Sequence, residues 1–579
     1  MDTAVANLTI KGVPASAGIA IGKPWIYRPA QAAVKRRSIA DVDQELERFE
    51  AARQEALQQL GDLATKTRAE IGQAEAEIFE AHQLFLEDDE LIKVITHTVQ
   101  SEKICAEAAV DAAIAAAAAQ LSALEDDYFQ ARAIDLRDVG RRLVNLLLGV
   151  DTGLRDFPAY PVVVLAEDLT PSDTMQFEKS KLLALVTVQG GPTSHTAILA
   201  GSMGIPALVS VPVDLAAAER SPQVIVDGST GQLILDPHPD LLAAKQAEQA
   251  QLHAKHSAAE ARSHEAAITL DGHVVEIVAN IGNLEGAQKA LQHGAEGVGL
   301  FRTEFLFLDR EQMPTEEEQT QAYRQIFEVL RGKPVVVRTL DIGGDKAVPY
   351  LGFKDEANPF LGWRAIRMMD GRSDVLLSQL RALLRAGVDA DLRIMVPMVS
   401  RLTEVEQARS LLQLAQEQLQ NEGLPACQTP QFGIMVEVPS AALVAEHIAP
   451  VVDFFSIGTN DLTQYTMAVD RTNERVVHIA STFHPGVLRL IQITIEAAHH
   501  HGKWVGLCGE FASNPAAVPL LLGLGLDEFS MSPVHIPNIK DLVRGWSMDE
   551  CREIARHALS LPKAAAVEAY LKSVYEHKL

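Results

Sequence analysis

The distribution of apolar positions divides the chain into four regions. Residues 1 to about 30 alternate apolar residues with Gly and Pro, as short strands and turns do. From about residue 38 to 145, apolar positions such as Ile39, Val42 and Leu46 recur at helical spacing instead. Almost no Pro and few Gly interrupt this second region, which predicts antiparallel helical hairpins. Its alanine-rich segment AEAAVDAAIAAAAAQLSAL predicts helices that pack closely together.

A third region begins near residue 158 and returns to short β-rich runs separated by helix-like pieces. The runs are YPVVVLAEDL, LLALVTVQGG, IPALVSVP and PQVIVDGSTGQLILDP. Because strand-like residues also precede the helical region, we interpret residues 31–149 as an insertion. The surrounding α/β domain is then built from residues 1–30 and 150–235. A polar helical linker is predicted over residues 236–266.

The fourth region, residues 267–579, contains eight apolar runs with amphipathic helical patterns between them. In chain order the runs are VVEIVANIG, GVGLFRTEFLF, PVVVRTLDIGG, RIMVPMVS, QFGIMVEVP, VDFFSIGTND, KWVGLCGE and EFSMSP. Eight β/α alternations over this length predict a (β/α)8 barrel. The predicted fold class is therefore multidomain α/β: a small α/β domain with an inserted helical bundle, followed by a C-terminal (β/α)8 barrel.

Charged and polar residues close several of the barrel runs. The residues at or just after these ends are Arg302, Arg338, Asp341, Arg364, Arg367, Glu437, Asn460, Asp461, Arg471 and Cys508. Active sites of (β/α)8 barrels lie at the C-terminal ends of the strands, so we expect these side chains around one mouth. A single arginine after a strand is usually a solvated or salt-bridged loop residue. Several around one cleft would repel each other unless an anion neutralised them, and guanidinium suits carboxylate and phosphate.

Four of the candidates in the barrel remain ambiguous on spacing alone. Glu437 and Asp461 offer two hard oxygen ligands of the kind that magnesium prefers, or they balance the arginines. Lys346, after the Gly343-Gly344 turn, is either a phosphate contact or a surface lysine. Cys508 is either a buried core thiol or a proton donor at the mouth.

His195 is the strongest candidate nucleophile outside the barrel. A strand, the Gly190-Gly191 turn and Ser/Thr caps place it at or near the start of a helix. Unpaired amide groups there favour negative charge and disfavour imidazolium, and neutral imidazole is the nucleophilic form. Thr174, Thr193 and Thr196 are candidate hydroxyl contacts for a phosphoryl group. The same pattern also fits a histidine that merely occupies a first helical turn.

The other histidines give weaker signals. His82 is expected on the exposed face of a helix. His499, His500 and His501 are consecutive, so they are expected to point to different sides of a helix and to form no ligand cluster.

Composition narrows the class of protein. The chain is 47% hydrophobic and 22% charged, which is typical of a well-packed globular protein. A formal net charge of -26 argues against a nucleic-acid partner and serves either solubility or docking of a basic partner. Four widely spaced cysteines predict reduced thiols. The chain shows neither a signal-peptide pattern nor an apolar run of transmembrane length, so we expect a cytoplasmic protein without membrane insertion.

Ten segments, in chain order, are long enough to be specific. They are GIAIGK, AEDLTPSDT, GGPTSHTAILA, TLDGH, AEGVGLFRTEFLF, VRTLDIGGDK, NPFLGWRAIR, GIMVEVPSA, DFFSIGTNDLTQYTMAVDR and GLCGE. Together they resemble the phosphoenolpyruvate-protein phosphotransferase family, the enzyme I proteins of the bacterial sugar phosphotransferase system, over essentially the whole chain. The resemblance implies an enzyme that transfers the phosphoryl group of phosphoenolpyruvate to its own histidine. That histidine then passes it to a histidine of the phosphocarrier protein HPr, with release of pyruvate, as the first step of sugar uptake.

The resemblance also implies roles for individual residues. His195 is the phosphorylated residue, and Cys508 is the acid that protonates the enolate carbon. Phosphoenolpyruvate is surrounded by Arg302, Arg338, Lys346, Arg364, Asn460 and Arg471, and Mg²⁺ is held by Glu437 and Asp461. The helical insertion docks HPr, whose basic surface suits the acidic stretch from Glu75 to Glu90. A homodimer formed through the barrel is a further expectation from the family.

One position departs from the family pattern. Enzyme I sequences commonly carry Arg before Thr-Ser-His, and this chain has Pro192. The substitution removes a cation near the phosphoryl group and stiffens the turn before His195, so we expect it to alter the rate or specificity of transfer.

Three other functions fit parts of the chain. A dikinase with the same histidine domain and barrel needs a further nucleotide-binding domain, and the N-terminal region shows no Gly-rich phosphate loop. A phosphoenolpyruvate sensor needs no nucleophile. An enolate-forming lyase needs the barrel alone and leaves residues 1–235 unexplained.

Overall fold

A computed structural model of the chain describes residues 7–29, 34–70, 73–122, 127–150, 157–191, 194–308, 310, 312–343, 348–353, 356–471 and 473–578. The chain divides into two compact units, Met1–His253 and Ala254–Leu579. In the described part of the chain, no helix is both long enough and apolar enough to cross a lipid bilayer.

The strands of the first unit form one mixed eight-stranded sheet. They are β1 (Leu8–Lys11), β2 (Val13–Ser16), β3 (Ile19–Ile26), β4 (Val162–Ala166), β5 (Leu182–Thr187), β6 (Ala207–Val209), β7 (Val224–Asp227) and β8 (Gln232–Leu235). Their order in the sheet is β1-β8-β7-β3-β4-β5-β6-β2. β3 pairs in parallel with β4, with Lys23 opposite Val162. The helical region thus separates two strands that are neighbours in the sheet, which confirms that it is an insertion.

Nine helices of this part of the chain have described bounds. They are α1 (Val42–Glu70), α2 (Gln73–Glu87), α3 (Asp89–Glu102), α4 (Ala106–Ser122), α5 (Asp127–Leu147), α6 (Pro171–Thr174), α7 (His195–Met203), α8 (Leu215–Arg220) and α9 (Pro239–Ala261). The first five form the inserted helical bundle, whose core contains Phe49, Leu60 and Phe79. Within the bundle, α4 and α5 approach closely at Gly140. A Cβ atom at this position would lie only 2.6 Å from the Ile114 side chain, so glycine permits the close approach.

The second unit is a closed parallel barrel. After the short strand β9 (Ala267–Ile268), its strands are β10 (Val274–Ile281), β11 (Val298–Arg302), β12 (Pro334–Arg338), β13 (Asp391–Val396), β14 (Gln431–Val436), β15 (Phe454–Ile457), β16 (Trp504–Leu507) and β17 (Glu528–Met531). β10 pairs in parallel with both β11 and β17, which closes the barrel. Each of the eight predicted apolar runs contains or overlaps one of these strands, so the predicted (β/α)8 architecture is confirmed.

Amphipathic helices surround the barrel. They are α10 (Leu284–Gln292), α11 (Glu316–Val329), α12 (Met369–Ala386), α13 (Leu402–Asn421), α14 (Pro439–Leu443), α15 (Ala445–Ile448), α16 (Thr459–Met467), α17 (Glu474–Val477), α18 (Pro485–His500), α19 (Val518–Leu524), α20 (Ile536–Arg544), α21 (Met548–Ser560) and α22 (Ala564–Lys578). The outward-facing residues of the strands pack against the apolar faces of these helices. Ile277 of β10, Phe455 of β15 and Ile491 of α18 are all fully buried in this layer.

The interior of the barrel is filled by side chains. Leu300, Val336, Met395 and Phe454 form an inner apolar cluster together with Cys508. Because these side chains fill the interior, chemistry is expected at the ends of the strands.

A buried carboxylate, Glu528, begins β17 at the opposite end of the interior from Cys508. A Cβ atom on Gly299 or Gly506 would lie 2.6 Å from its Oε1 atom, so these glycines leave room for it. Burial, followed by repulsion from Glu276, raises the pKa of Glu528 to about 8, although Arg393 opposes the shift. At neutral pH this carboxyl therefore holds a proton inside the barrel.

Candidate active site

A cavity of about 150 Å³ lies at the C-terminal ends of the barrel strands. Its polar lining consists of Arg302, Arg338, Asp341, Arg364, Glu437, Asn460, Asp461, Arg471 and Cys508. The fold thus brings together nine of the eleven barrel residues predicted for the mouth. Lys346 lies outside the described residues. Arg367 does not line the cavity, because its guanidinium donates to the carbonyl oxygens of Leu361 and Gly362.

Two buried arginines are held in place by carboxylates. Arg338, the last residue of β12, donates from Nη2 to Glu304 Oε1 at 2.8 Å, and its Nη1 lies 3.1 Å from Asp341 Oδ2. Arg364 donates from Nη2 to both oxygens of Asp341 at 3.0 Å, and its Nη1 lies 3.4 Å from Asp461 Oδ1. Burial alone disfavours the charge of Arg338, but Glu304 and Asp341 outweigh burial and raise its pKa. Both guanidinium groups are therefore fixed before any substrate binds.

Arg302 differs from these two arginines. Among the described residues, no carboxylate lies within ion-pair distance of its guanidinium group. Desolvation in the cavity and repulsion from Arg338 lower the pKa of Arg302. A guanidinium group stays charged in proteins, so an anion that entered the cavity would stabilise this side chain.

Arg471 lies at the more exposed edge of the cavity. Its Nη1 atom is 3.3 Å from Asp461 Oδ2, and its guanidinium group lies 5.4 Å from the centre of the Phe360 ring. The backbone amide of Arg471 donates to Gln464 Oε1 at 3.1 Å. These contacts aim the side chain across the mouth, so it can pair with one end of an anionic ligand.

Glu437 and Asp461 are two of the three carboxylates that line the cavity, beside Asp341. Glu437 follows β14, is 1% exposed and accepts a hydrogen bond from the Met398 amide at 2.6 Å. Asp461 lies in the first turn of α16, one residue beyond Asn460, rather than at the end of β15 itself. A Cβ atom on Gly458 would lie 3.0 Å from Glu437 Oε2, so this glycine leaves room for the carboxylate.

The two carboxylates repel each other. Burial, then the negative charges of Asp461 and Asp341, raise the pKa of Glu437 to about 8. A divalent cation bound between Glu437 and Asp461 would remove this repulsion and replace the lost hydration of both groups. Two buried, hard oxygen ligands beside a cavity open to water and substrate oxygens fit such a cation.

Cys508 lies directly after β16 and faces the same cavity. Its side chain is 4% exposed, and its Sγ atom lies 3.7 Å from the carbonyl oxygen of Ile457. Burial raises the pKa of the Cys508 thiol to about 11, and the charge of Glu437 adds to the shift. The guanidinium groups of Arg338 and Arg302 act in the opposite direction. The thiol is thus neutral at physiological pH but lies beside two cations that would stabilise a thiolate formed by proton donation.

His195 is the first residue of α7 in the first unit. Ser194 is the N-cap, and its Oγ atom accepts a hydrogen bond from the Ala197 amide at 3.3 Å. The Thr196 hydroxyl donates to the Leu169 carbonyl oxygen at 2.7 Å and anchors the helix start to the neighbouring segment. The described part of His195 is its backbone, which occupies the helix start that the sequence predicts.

Of the three threonines predicted as phosphoryl contacts, Thr174 and Thr196 are described, and the Thr196 hydroxyl donates to Leu169 instead. Thr174 ends α6, is fully buried and donates from Oγ1 to the Thr170 carbonyl oxygen at 3.0 Å. Thr193 and Pro192 lie outside the described residues.

The segment that carries Thr174 is tied to the helical bundle by a charged cluster that sequence reasoning missed. Arg141 of α5 donates to Asp173 Oδ2 at 2.9 Å and to Asp138 Oδ1 at 3.0 Å. The Tyr27 hydroxyl donates to the other oxygen of Asp173 at 2.6 Å. Asp173 belongs to the motif AEDLTPSDT, but nothing in that motif indicates partners so distant in the chain. Glu304 was missed for the same reason, although it lies within FRTEFLF.

Two expectations about histidines were wrong. His82 is fully buried rather than exposed, with Nε2 3.3 Å from Asp135 Oδ1, because α2 turns this residue towards α5. His500 and His501 do not point to different sides, since both rings approach Glu446.

Known proteins resemble the chain along its whole length. The family models for PEP-utilising enzymes match an N-terminal domain over residues 11–132, a mobile domain over 158–231 and a PEP-binding domain over 256–548. A solved structure described as the NMR solution structure of Enzyme I (nEIt) shares 36% identity, covers 42% of this chain and 99% of its own, and has a TM-score of 0.37.

Full-length relatives carry one shared description, phosphoenolpyruvate-protein phosphotransferase. The relative from Bacillus sp. (strain S) is 44% identical over 99% of this chain and 100% of its own length. The Geobacillus stearothermophilus relative has the same identity and coverage, and that from Bacillus subtilis (strain 168) is 41% identical over 98% of this chain and 100% of its own. The chain therefore belongs to the phosphoenolpyruvate-protein phosphotransferase family of PEP-utilising enzymes.

Proposed function

We propose that this enzyme transfers the phosphoryl group of phosphoenolpyruvate to His195 and then to a histidine of the phosphocarrier protein HPr, releasing pyruvate. This reaction is the first step of sugar uptake by the phosphotransferase system. The observation that carries the proposal is the cavity in which four arginines, three carboxylates and a neutral thiol converge. A ligand that bears both a phosphate and a carboxylate fits this arrangement of charges.

Substrate binding is assigned to the arginines and Asn460. Arg302, which has no carboxylate at ion-pair distance in the described part of the chain, provides a cation for one anionic group of the substrate. Arg338 and Arg364 are already oriented by Glu304 and Asp341, so binding requires little reorganisation of either side chain. We further propose that Lys346 contacts the phosphate.

Glu437 and Asp461 are proposed to hold the divalent cation, which we propose is Mg²⁺. When bound, the cation neutralises charge on the phosphoryl group during transfer. Both carboxylates are buried and aimed into the cavity, whereas no imidazole of the described residues lines it, and hard oxygen donors favour Mg²⁺ over softer metals.

Cys508 is proposed to supply the proton. Loss of the phosphoryl group leaves the enolate of pyruvate, whose carbon must gain a proton to form the methyl group. The neutral Cys508 thiol holds that proton, and Arg302 and Arg338 stabilise the thiolate that remains. Solvent then returns a proton to the sulfur at the end of each cycle.

His195 is proposed to be the nucleophile. At the start of α7 the free amide groups favour a neutral imidazole, whose unprotonated nitrogen attacks phosphorus, and they also favour the phosphoryl group that it receives. Thr174 and Thr193 are assigned to contact that group. Because one histidine serves two partners, we expect the α/β domain to move between them, with hinges near residues 150 and 235.

The helical bundle is proposed to bind HPr. Beside the start of α3, the acidic residues 87–90 are exposed, and Leu84 on α2 is 66% exposed. An exposed apolar side chain next to carboxylates suits a partner with an apolar patch and a basic rim.

Two further properties follow from the family and are part of the proposal. We expect a cytoplasmic location, in keeping with four cysteines that are all free and buried. We also expect a homodimer through the barrel.

Labelled phosphoenolpyruvate tests the proposal. With Mg²⁺ present, the wild-type chain should acquire acid-labile label that added HPr removes. The His195→Ala variant should acquire none, whereas His238→Ala, which changes an exposed histidine of the same unit, should behave as wild type. Label that survives His195→Ala contradicts the proposal, as does labelling by ATP in the absence of phosphoenolpyruvate.

A further inference from the structure

Three side chains on the outside of the barrel converge on one point. His500 Nδ1 lies 2.7 Å from Glu446 Oε1, and His501 Nε2 lies 3.0 Å from the same oxygen. One nitrogen from each ring and the carboxylate oxygen all lie within 4.8 Å of one another. The His500 side chain is 73% exposed and that of Glu446 is 49% exposed, so ions in solution reach the cluster freely.

The convergence depends on where α18 ends. His500 is the last residue of this helix, and His501 is its C-cap, with φ -98° and ψ 10°. Because the φ angle of His501 is more negative than the helical value of about -63°, its side chain departs from the regular spacing of about 100° per residue that separates neighbours on a helix. The two rings lie 5.0 Å apart between centroids, with an interplanar angle of 61°. Glu446 reaches them from α15, which packs against α18.

Two of the three separations between donor atoms, those from the Glu446 oxygen to each ring nitrogen, match a metal centre. Imidazole nitrogen and carboxylate oxygen bind zinc at about 2.0–2.2 Å. Two donors at about 2.05 Å from one ion and 2.7–3.0 Å apart subtend an angle of about 80–95° at that ion. This angle is that of neighbouring ligands in octahedral or square-planar geometry. Tetrahedral geometry needs about 3.3 Å between donors, which small rotations of exposed side chains supply.

The donor types select a class of metal. Two imidazoles with one carboxylate favour zinc, nickel and copper over magnesium and calcium, which prefer oxygen ligands throughout. The cluster is therefore chemically distinct from Glu437 and Asp461, which offer oxygen alone.

The cluster is also distant from the cavity along the barrel. Helices of a (β/α)8 barrel run back from the C-terminal ends of the strands towards their N-terminal ends. His500 and His501 lie just before β16, and Glu446 lies shortly before β15. All three residues are thus at the end of the barrel opposite the cavity, where residues serve stability more often than catalysis.

We propose that Glu446, His500 and His501 form a surface binding site for a divalent transition-metal ion, Zn²⁺ or Ni²⁺, that links α15 to α18. Water completes the coordination sphere. The ion replaces the hydrogen bonds that now join the rings to the carboxylate, and it stabilises the packing of the two helices against the barrel.

Metal titration of the full chain tests this site. Protein freed of metal by a chelator is titrated with ZnCl₂ or NiCl₂ by calorimetry, with Mg²⁺ in excess so that the carboxylates in the cavity are already occupied. Wild type should bind one ion more than the His500→Gln/His501→Gln double variant. The matched control is His499→Gln, whose ring pairs with Asp527 at 2.9 Å instead, and it should retain the site.

Thermal unfolding provides a second measurement. Zn²⁺ should raise the unfolding temperature of wild type and of His499→Gln, but not that of the double variant. Glu446→Gln keeps both imidazoles but loses the carboxylate ligand, and it should bind the ion at least about tenfold more weakly than wild type, since loss of even an outer partner of a ligand costs about that much. The proposal is overturned if wild type binds no ion under these conditions, or if the double variant binds as many ions as tightly as wild type.

Discussion

Replacing Cys508 by alanine provides the sharpest test of the proposed chemistry. The substitution removes the thiol but no charge, and it changes a small buried side chain at the end of β16. The arginines and carboxylates of the cavity stay in place, because the ion pairs that hold them do not involve sulfur. We therefore expect phosphoenolpyruvate to bind normally and the protonation of the enolate to fail.

The magnitude follows from the state of the thiol. Burial raises the pKa of Cys508 from 9.0 to about 11, so only about 1 molecule in 3,000 carries a thiolate near pH 7.5, against roughly 1 in 30 for an unshifted thiol. The proton is thus present on almost every molecule. Removal of a positioned acid typically slows a reaction by about 10²–10⁴, which corresponds to about 2.7–5.4 kcal/mol in activation free energy.

The assay follows the formation of pyruvate in a single turnover. The rate constant should fall by this factor in Cys508→Ala, while the dissociation constant for phosphoenolpyruvate, measured by calorimetry, should change less than threefold. Cys427→Ala is the matched control, because Cys427 is also buried and free but does not line the cavity.

The pH dependence provides an independent check. Since the protonated thiol is the active form, its loss should lower the rate only as the pH rises towards 11, and no decline near pH 9 should be attributable to a thiol. Pyruvate formation by Cys508→Ala at a rate within threefold of wild type refutes the assignment. A Cys508 thiol that titrates near pH 9 refutes the protonation state that burial implies.

Three further outcomes are expected. Arg364→Lys loses the bidentate contact with Asp341 and should lower kcat/KM for phosphoenolpyruvate roughly tenfold to 150-fold in steady-state kinetics, which corresponds to about 1.5–3 kcal/mol of lost transition-state stabilisation. A change below threefold contradicts the proposed role of Arg364 in substrate binding. The folded-state pKa of Glu528 is raised to about 8, so its contribution to folding stability is fully present below pH 4.5 and is lost as the pH rises towards 8. Glu528→Gln should therefore flatten the dependence of the free energy of unfolding on pH, measured with urea, and should stabilise the protein by about 3 kcal/mol near neutral pH; the same pH dependence in both proteins contradicts this. Arg141→Met leaves the buried Asp138 and Asp173 without their shared cation and should lower the free energy of unfolding, measured with urea, by about 1–3 kcal/mol. The control Arg137→Met changes an exposed arginine and should lower it by less than about 0.5 kcal/mol; equal losses contradict the pairing of Arg141 with these aspartates.

The architecture could be predicted from local patterns in the sequence. Helical periodicity identified the inserted bundle, and alternating runs with turn residues identified each strand of the barrel. Because parallel strands of a closed barrel present their C-terminal ends on one face, the polar residue after each run was enough to predict that Arg302, Glu437 and Cys508 share one cavity. Helix-capping chemistry likewise placed His195 at the start of α7.

The ion pairs and protonation states of these residues could not be predicted from local patterns. The sequence contains Glu304, but only the fold shows that its carboxylate orients Arg338. Spacing left Cys508 open as either core thiol or acid, and its raised pKa results from burial beside Glu437. The convergence of His500 and His501 on Glu446 contradicted a helical-wheel argument, since α18 ends between the two histidines.

Sequence alone therefore determined the order and type of the elements and which residues stand at their ends, because periodicity and capping act over a few neighbouring residues. Tertiary structure decided which charges pair, which carboxyl and thiol groups hold protons, and which histidines meet a carboxylate. These properties depend on desolvation and on Coulomb interactions between groups far apart in the chain, and such interactions leave no local pattern.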